Sequence, residues 1–233
     1  MSKNFLSLSE NATISSIEFG AEKQPLLKVD SYQEDPSKLI DYASAKRSFI
    51  ASGNFYPGVR MPVPNDYLKA LIRNLGPELE ATFGVNATSV KSGVSVYSII
   101  TKPADKLDFV QTIPHFDGLG DNKLAMIHYL CDKPNAGTSF YHHKALGFDY
   151  VDQNRHSEYK DCLNQQFENN LPSGYIQNDS PEFKKITTYD CVFNRLLIYK
   201  ISSLHCTQIP PEYNYDSNPK TGRLTITSFV EFN

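Results

Sequence analysis

The sequence predicts a mainly β fold with packed helices, built as an antiparallel double sheet of the jelly-roll kind. From about Val90 onward, short segments rich in Val, Ile, Thr and aromatic residues follow one another, which is typical of strands. Turn residues separate these segments, and the regular intervening helices of a parallel βαβ arrangement are missing. The 233 residues, 40% of them hydrophobic, suit one globular domain with a sizeable core.

The first part of the chain predicts short strands and two helices. Residues 14–32 have the texture of short strands, and residues 34–45 predict a helix with Pro36 in its first turn. Residues 65–84 carry apolar side chains at steps of three and four, which indicates an amphipathic helix that Gly76–Pro77 should break or kink. We therefore expect residues 1–89 to supply N-terminal strands and supporting helices within a single domain spanning residues 1–233.

The remainder of the chain, residues 90–233, predicts the jelly-roll core. Six segments have strand character: residues 93–100, 109–116, 123–131, 137–143, 195–202 and 223–232. Residues 155–170 interrupt them with polar helical character, and the sequence leaves open whether this segment is a lid. An antiparallel jelly roll would enclose a hollow between its two sheets.

Composition excludes several classes of function. The formal net charge of −3, from 23 basic and 26 acidic side chains, provides no basic stripe for a nucleic acid. Residues 1–16 lack the apolar core of a signal peptide, and no apolar run approaches the ~20 residues of a membrane span. The four cysteines show neither zinc-knuckle nor disulfide-framework spacing. We expect a soluble, cytoplasmic protein without nucleic-acid or membrane partners, and its oligomeric state stays open.

Residues 112–118, with the sequence TIPHFDG, contain the first candidate metal ligands. In an extended strand, His115 and Asp117 project to the same face while Phe116 points away, so both can bind one metal. Among the other histidines, His205 is the best third ligand because it lies just beyond an apolar strand. Two histidines and one carboxylate form the facial triad of non-haem Fe(II) oxygenases, which leaves three coordination positions open.

The open positions suggest a cosubstrate and its anchor. A bidentate 2-oxo acid could take two of them and dioxygen the third. The second carboxylate of such an acid needs a fixed cation in a dry interior, and the planar fork of arginine suits it. Arg223 follows His205 by 18 residues, and Thr225 on the same strand face could add a hydroxyl donor.

The ordered set His115, Asp117, His205, Arg223 and Thr225 resembles the 2-oxoglutarate- and Fe(II)-dependent dioxygenase superfamily, within it the prolyl-4-hydroxylase-like branch. The resemblance covers roughly residues 94–232, and the earlier part is similar to an uncharacterised bacterial subgroup. It implies a double-stranded β-helix, with Fe(II), 2-oxoglutarate and dioxygen as cofactor and cosubstrates. It also places Tyr129 near the far carboxylate of 2-oxoglutarate, although Cys131 replaces the usual Asn and only Gly137 remains of a paired glycine.

The resemblance implies hydroxylation of a peptidyl, amino-acid-like or small-molecule substrate, and retained Asp117 favours hydroxylation over halogenation. The alternative is a non-catalytic jelly-roll binding module with a vestigial or structural metal site. A closed structural site would need a fourth protein ligand, and Cys206 is the nearby candidate. Strand alternation points Cys206 away from His205, which favours the oxygenase.

The remaining candidate residues are expected either to be structural or exposed, or to allow both a functional and a non-functional explanation. His128 alternates with Tyr129 and is expected to be structural, facing away from the pocket. His142 and His143 either line the mouth of the pocket or form a solvated loop pair, and His156 is expected to be exposed. Arg60 and Tyr56 could approach a substrate, although the turn residues around them explain this loop without a function.

Overall fold

The computed structural model describes residues 5–46, 48–53 and 55–233. Residues 1–4, part of the segment inspected for a signal peptide, lie outside the described residues. The strands are β1 (Thr13–Phe19), β2 (Gln24–Asp30), β3 (Ile50–Ala51), β4 (Gly58–Pro62), β5 (Val90–Ile100), β6 (Lys123–Tyr129), β7 (Lys133–His143), β8 (Phe183–Cys191), β9 (Leu196–Lys200), β10 (His205–Thr207) and β11 (Leu224–Phe232). The helices are α1 (Ser37–Lys46), α2 (Tyr67–Phe83), α3 (Phe109–Thr112) and α4 (His156–Gln166), with a single 3₁₀ turn at Ala104–Lys106.

The strands form two antiparallel sheets. The large sheet has the order β1-β2-β9-β6-β11-β5-β4-β3 and the small sheet the order β10-β7-β8. Along the chain, β5 and β6 belong to the large sheet, β7 and β8 to the small one, and β9, β10 and β11 then alternate between them. This winding of the chain between two facing sheets is a double-stranded β-helix, so the predicted jelly-roll fold is confirmed.

The N-terminal elements extend the large sheet and cover its outer face. The β1–β2 hairpin joins one edge through β9, and the β3–β4 pair joins the other edge through β5. Side chains of α1 and α2 pack in one core cluster with the outward residues of β5 and β11, among them Tyr97 and Ile226. The large sheet contains strands from both sides of residue 89, where the sequence predicts the N-terminal part to end. The domain boundaries stay a prediction.

Helix α2 does not end at Gly76–Pro77, so of the expected break or kink the break is wrong, and the kink stays a prediction. The helix runs from Tyr67 to Phe83 with Pro77 inside it. Interior proline costs about 3 kcal/mol in a helix, and the fully buried Leu71, Leu75 and Leu79 hold the helix against the sheet on both sides of it. The helix ends at Gly84, whose left-handed conformation (φ 69°) lets its N–H bond to the carbonyl of Glu80.

Two strand assignments also need correction. Residues 109–116 were expected to be one strand, but Phe109–Thr112 form a short helix capped by Asp108, and only the residues after it are extended. Strand β8 was not expected, because its sequence is polar and most of its residues are only half-buried at the sheet edge. Alternation of apolar and polar residues is weak in such an edge strand, so the sequence did not reveal it.

The polar helix expected in residues 155–170 is confirmed as α4, of which Tyr159 is the buried residue. His156 is half-buried, with its ring 5.9 Å from that of Phe116, so its expected exposure is wrong. Among the described residues, no helix combines the length and hydropathy that crossing a membrane requires.

His128 is buried on the outer face of the large sheet, away from the cavity, as its alternation with Tyr129 predicted. Its fully buried ring lies between the hydroxyl of Tyr67, 3.0 Å from Nδ1, and the side-chain oxygen of Asn194, 3.0 Å from Nε2. Asn194 also accepts from the backbone N–H of Gln33 and donates to its carbonyl, which fixes the amide orientation. The Tyr67 hydroxyl therefore donates to Nδ1, and the imidazole is neutral.

We expect His128 to make stability depend on pH. Burial lowers the pKa of His128 to about 4, whereas an unfolded histidine titrates near pH 6.5. Its contribution is therefore complete above about pH 6.5 and is lost as the pH falls toward 4, by up to roughly 3 kcal/mol. The difference in unfolding free energy between wild type and His128→Asn, measured by urea denaturation, should shrink over this range. A difference that stays constant from pH 7 to pH 4 would contradict the neutral, buried ring.

Candidate functional site

The main chain brings His115 and His205 together. Each backbone N–H donates to the carbonyl of the other residue, both at 2.9 Å, which makes an antiparallel bridge between residues far apart in sequence. Directly opposed residues in such a bridge point to the same face. Asp117 lies two residues further along this extended segment, and its N–H donates to the carbonyl of Ile201 at 2.9 Å, outside the register of the bridge. The bridge therefore places the two imidazoles, and a separate backbone bond positions the residue that carries the carboxylate.

The three side chains converge on a small volume. A carboxylate oxygen of Asp117 lies 3.4 Å from Nε2 of His205, and the other lies 3.7 Å from Nε2 of His115. One ligand atom from each residue lies within 4.8 Å of the others. The side chain of His205 is 6% exposed and that of His115 is 42% exposed, so the cluster is closed on one side and open on the other.

The environment shifts the pKa of each of these groups, and that of His205 is raised by the neighbouring Asp117 carboxylate although burial opposes this. Burial and the neighbouring His205 lower the pKa of His115 to about 4, which keeps its ring neutral. Burial would raise the pKa of Asp117, but the His205 imidazole lowers it overall, which keeps the carboxylate ionised. His205 donates from Nδ1 to the carbonyl of Ser203 at 3.0 Å, so its Nε2 faces the other two ligands. A backbone bond of this kind orients histidine ligands in metal sites.

This donor set could hold a divalent transition metal. Two imidazole nitrogens and one carboxylate oxygen on one side of an ion are the facial triad that leaves positions open for other ligands. Cys206, the fourth ligand that a closed site would need, instead packs in an apolar cluster with Ile113, Tyr141 and Phe167. The arrangement therefore fits an open site better than a closed structural one.

The cluster opens into a cavity of about 510 Å³ between the two sheets, which is the size of pocket that binds small molecules. The cavity is lined on the large-sheet side by Arg223, which directly precedes β11, by inward residues of β11, including Thr225 and Thr227, and by Tyr199 of β9. A second groove, of about 880 Å³, lies on the outside of the protein between α2 and β5 and holds none of the candidate ligands.

Arg223 lines this cavity as a buried cation without a carboxylate partner. It is 2% exposed, and among the described residues it forms no salt bridge. Its Nε donates to the carbonyl of Ala136 at 2.6 Å and its Nη2 to that of Gly137 at 3.2 Å. Nearby Cys191 and Tyr129 raise the pKa of Arg223 although burial opposes this, so the charge is retained. A buried charge is costly unless it is paired, and this one is suited to an anionic ligand.

A bulge in β7 provides the carbonyls that hold Arg223. The pairing of β7 with β8 shifts register between Lys133 and Thr138, and in this stretch the carbonyls of Ala136 and Gly137 accept from the guanidinium, while that of Gly137 also accepts from the backbone N–H of Gln208 at 3.1 Å. A Cβ at Gly137 would lie 2.0 Å from the carbonyl oxygen of Tyr189, so only glycine fits at this close approach. The single glycine noted in the sequence therefore supports the arginine.

Thr225 and Tyr129 are paired with each other across β11 and β6, close to Arg223. Thr225 lines the cavity, and its hydroxyl lies 3.4 Å from the carbonyl of Ser98. Tyr129 is fully buried beneath the guanidinium, 5.5 Å from ring centroid to Cζ, and its hydroxyl is 2.6 Å from that of Thr138. It does not line the cavity, so a ligand would meet Arg223 and Thr225 before Tyr129.

His142 and His143 are not a solvated loop pair, and they do not line the cavity. Both belong to β7. His143 is fully buried, with Nε2 2.9 Å from the side-chain oxygen of Gln166, and Nδ1 of His142 lies 2.6 Å from a carboxylate oxygen of Asp149. Their bonding to α4 and to Asp149 gives both a structural role.

Sequence reasoning missed several cavity residues. Tyr199 and Phe229 line the cavity because they alternate with outward residues on β9 and β11. This alternation was visible in the sequence, and combined with the positions of Arg223 and Thr225 it could have identified Phe229. Arg60 and Tyr56, whose loop could be explained by turn residues alone, also line the cavity.

Several solved structures are similar to the chain. A prolyl-4-hydroxylase from Pseudomonas putida is 10% identical, with 91% of this chain and 95% of that chain covered and a TM-score of 0.49. HygX from Streptomyces hygroscopicus, solved with nickel, 2-oxoglutarate and hygromycin B bound, is 11% identical, with coverage of 91% and 84% and a TM-score of 0.47. At these values the likeness carries no conclusion about chemistry or substrate.

A search of curated proteins finds no match to the chain. A family model matches residues 10–230, nearly the whole chain, and its description is "Family of unknown function (DUF6445)". The chain therefore belongs to this family.

Proposed function

We propose that this protein is a 2-oxoglutarate- and Fe(II)-dependent oxygenase that hydroxylates a peptidyl, amino-acid-like or small-molecule substrate. The observation that carries the proposal is that Arg223, which is buried and forms no salt bridge with a carboxylate among the described residues, lines the same cavity as the His115–Asp117–His205 cluster. A metal site alone would not need a buried cation beside it. A ligand that binds the metal at one end and carries a carboxylate at the other accounts for both features.

Each residue has a distinct task in this proposal. His115 and His205 would hold Fe(II) through their Nε2 atoms and Asp117 through its ionised carboxylate, and His205, whose pKa Asp117 raises, would release its Nε2 proton when the metal binds. Arg223, fixed by two backbone carbonyls, still has N–H donors for the distal carboxylate of 2-oxoglutarate, and Thr225 offers a hydroxyl beside it. When bound, the iron supplies dioxygen activation coupled to oxidative decarboxylation of 2-oxoglutarate to succinate.

The cavity walls support this chemistry. Apolar and aromatic side chains, among them Ile113, Ile127 and Tyr199, line the cavity that also contains the candidate metal ligands and Arg223. Such walls exclude water, which strengthens the attraction between Arg223 and a carboxylate. The alternative, a binding module with a closed structural metal, is disfavoured because Cys206 is turned into an apolar cluster.

The first test is formation of the ternary complex. Anaerobic addition of Fe(II) and 2-oxoglutarate to the wild type should produce a weak visible charge-transfer band, and His115→Ala should abolish it because the iron loses one of three protein ligands. The matched control is His142→Ala, which changes a histidine outside the cavity and should keep the band. Persistence of the band in folded His115→Ala protein would contradict the assigned ligands.

The second test concerns the cation. Arg223→Met keeps the length of the side chain but removes its charge, so 2-oxoglutarate affinity should fall by at least about 30-fold, as expected for loss of a buried charge pair. The 2-oxoglutarate affinity of Arg223→Lys should lie between those of the wild type and Arg223→Met, because lysine keeps the charge and lacks the planar fork of donors. Isothermal titration calorimetry with the metal-loaded protein measures the effect. The control Arg195→Met removes an arginine paired with Asp30 outside the cavity and should leave the affinity unchanged. Equal affinities in all four proteins would exclude Arg223 as the anchor.

The third test separates an enzyme from a binding module. Purified protein with Fe(II), ascorbate, dioxygen and 2-oxoglutarate should release succinate, even at the slow rate expected without the primary substrate, and addition of a cell lysate should increase it. His205→Ala should release none above the protein-free background. Succinate at the same level in wild type and variant would remove the support for catalysis.

A further inference from the structure

A second arginine, Arg60, faces the same cavity from the edge of the large sheet. Arg60 on β4 is directly opposite Ser98 on β5, and Ser98 is directly opposite Thr225 on β11. Opposed residues in an antiparallel sheet share a face, so Arg60 and Thr225 lie in one row across the inner face. Both side chains line the cavity.

Arg60 has polar groups without partners. Its Nε is buried and has no hydrogen-bond partner, and among the described residues the side chain forms no salt bridge. Its guanidinium lies over the ring of Tyr56, 4.3 Å from the centroid. Burial lowers the pKa of Arg60, an effect that Tyr56 and Asp117 only partly offset. A charge with an unpartnered donor, beside the hydroxyl of Tyr56, forms a place for an anionic oxygen.

The cosubstrate does not account for Arg60. In the proposed function, Arg223 holds the distal carboxylate of 2-oxoglutarate, and the other end of that molecule binds at the metal. Asp117 is the acidic residue that lines the cavity, and it is used as a metal ligand. One cation therefore remains for a further anion.

The surroundings of Arg60 indicate what the rest of that ligand is like. Phe55, 84% exposed, and Val110, 41% exposed, lie at the cavity rim, and Phe229 and Ile127 line its wall. Exposed apolar side chains around a cavity mark a surface that a ligand covers. The cavity, about 510 Å³, is also much larger than a small dicarboxylate requires.

We propose that the primary substrate is a carboxylic acid with an apolar body, whose carboxylate is held by Arg60 and Tyr56 while the apolar part lies against Phe55 and Val110. This inference rests on the proposed function, which supplies the metal and the cosubstrate, and it narrows the substrate class of the same cavity. Arg60 is a binding residue here, and it sets specificity by rejecting uncharged analogues.

The test uses acid and amide pairs as probes: 3-phenylpropionate, octanoate and N-acetyl-L-leucine, each with its primary amide. Binding to the anaerobic Fe(II) and 2-oxoglutarate complex is measured by calorimetry. We expect at least one acid to bind at least about tenfold more tightly than its amide. Arg60→Gln should reduce the binding of that acid to the level of the amide, since it keeps a hydrogen-bond donor and removes the charge.

Three further variants sharpen the result. Tyr56→Phe, which keeps the ring under the guanidinium, should weaken acid binding less than Arg60→Gln does. Phe55→Ala, at an exposed position where folding is not at risk, should weaken acid and amide equally. Arg195→Gln outside the cavity is the matched control and should change neither.

Several outcomes would overturn the proposal. These are equal binding of each acid and its amide, no binding of any acid, or unchanged acid binding in Arg60→Gln. A loss of 2-oxoglutarate affinity in Arg60→Gln as large as that in Arg223→Met would assign Arg60 to the cosubstrate instead. If the wild type binds no 2-oxoglutarate, the proposed function fails, and the same acid titration on the metal-free protein still decides whether Arg60 binds a carboxylate.

Discussion

Two reciprocal backbone hydrogen bonds between His115 and His205 are the constraint on which the candidate site depends. They join the short extended segment after α3 to β10, and they place both imidazoles on one face. A separate backbone bond from Asp117 to Ile201 positions the residue that adds the carboxylate. Since these bonds use main-chain atoms, the side chains remain free to bind a ligand. The three candidate ligands are thus positioned by the main chain.

The large sheet has two faces with opposite characters, and this division makes the cavity possible. Its outer face carries Tyr97, His128 and Ile226, which are buried under α1 and α2 with their polar atoms paired. Its inner face carries Arg60, Thr225 and Thr227, which a single shift of register would move to the outside. The packed helices therefore hold the register that keeps the inward residues in the cavity.

Charge in the cavity is unbalanced in favour of cations. Arg223 and Arg60 both line it, and the acidic lining residue is Asp117. Burying an unpaired guanidinium costs free energy, which the carbonyls of the β7 bulge partly offset for Arg223. The guanidinium of Arg60 lies over the ring of Tyr56 and has no such carbonyl partners among the described residues. Stability alone would favour apolar residues at these positions, so the arginines are best understood through the anions they can bind.

The sequence by itself determined the local patterns: the helical spacing of α2, the alternation along the core strands, and the His-x-Asp pair whose spacing places both ligands on one face. It also supplied the order of His205, Arg223 and Thr225. These features follow from backbone periodicity, which acts over a few residues. Only the tertiary structure decided what depends on pairing between distant segments. That pairing brings His115 beside His205, turns the carbonyls of Ala136 and Gly137 toward Arg223, and places Tyr129 beneath it. It also brings Arg60 into the cavity and shows β8 to be a strand, because register between strands is set by packing of the whole sheet.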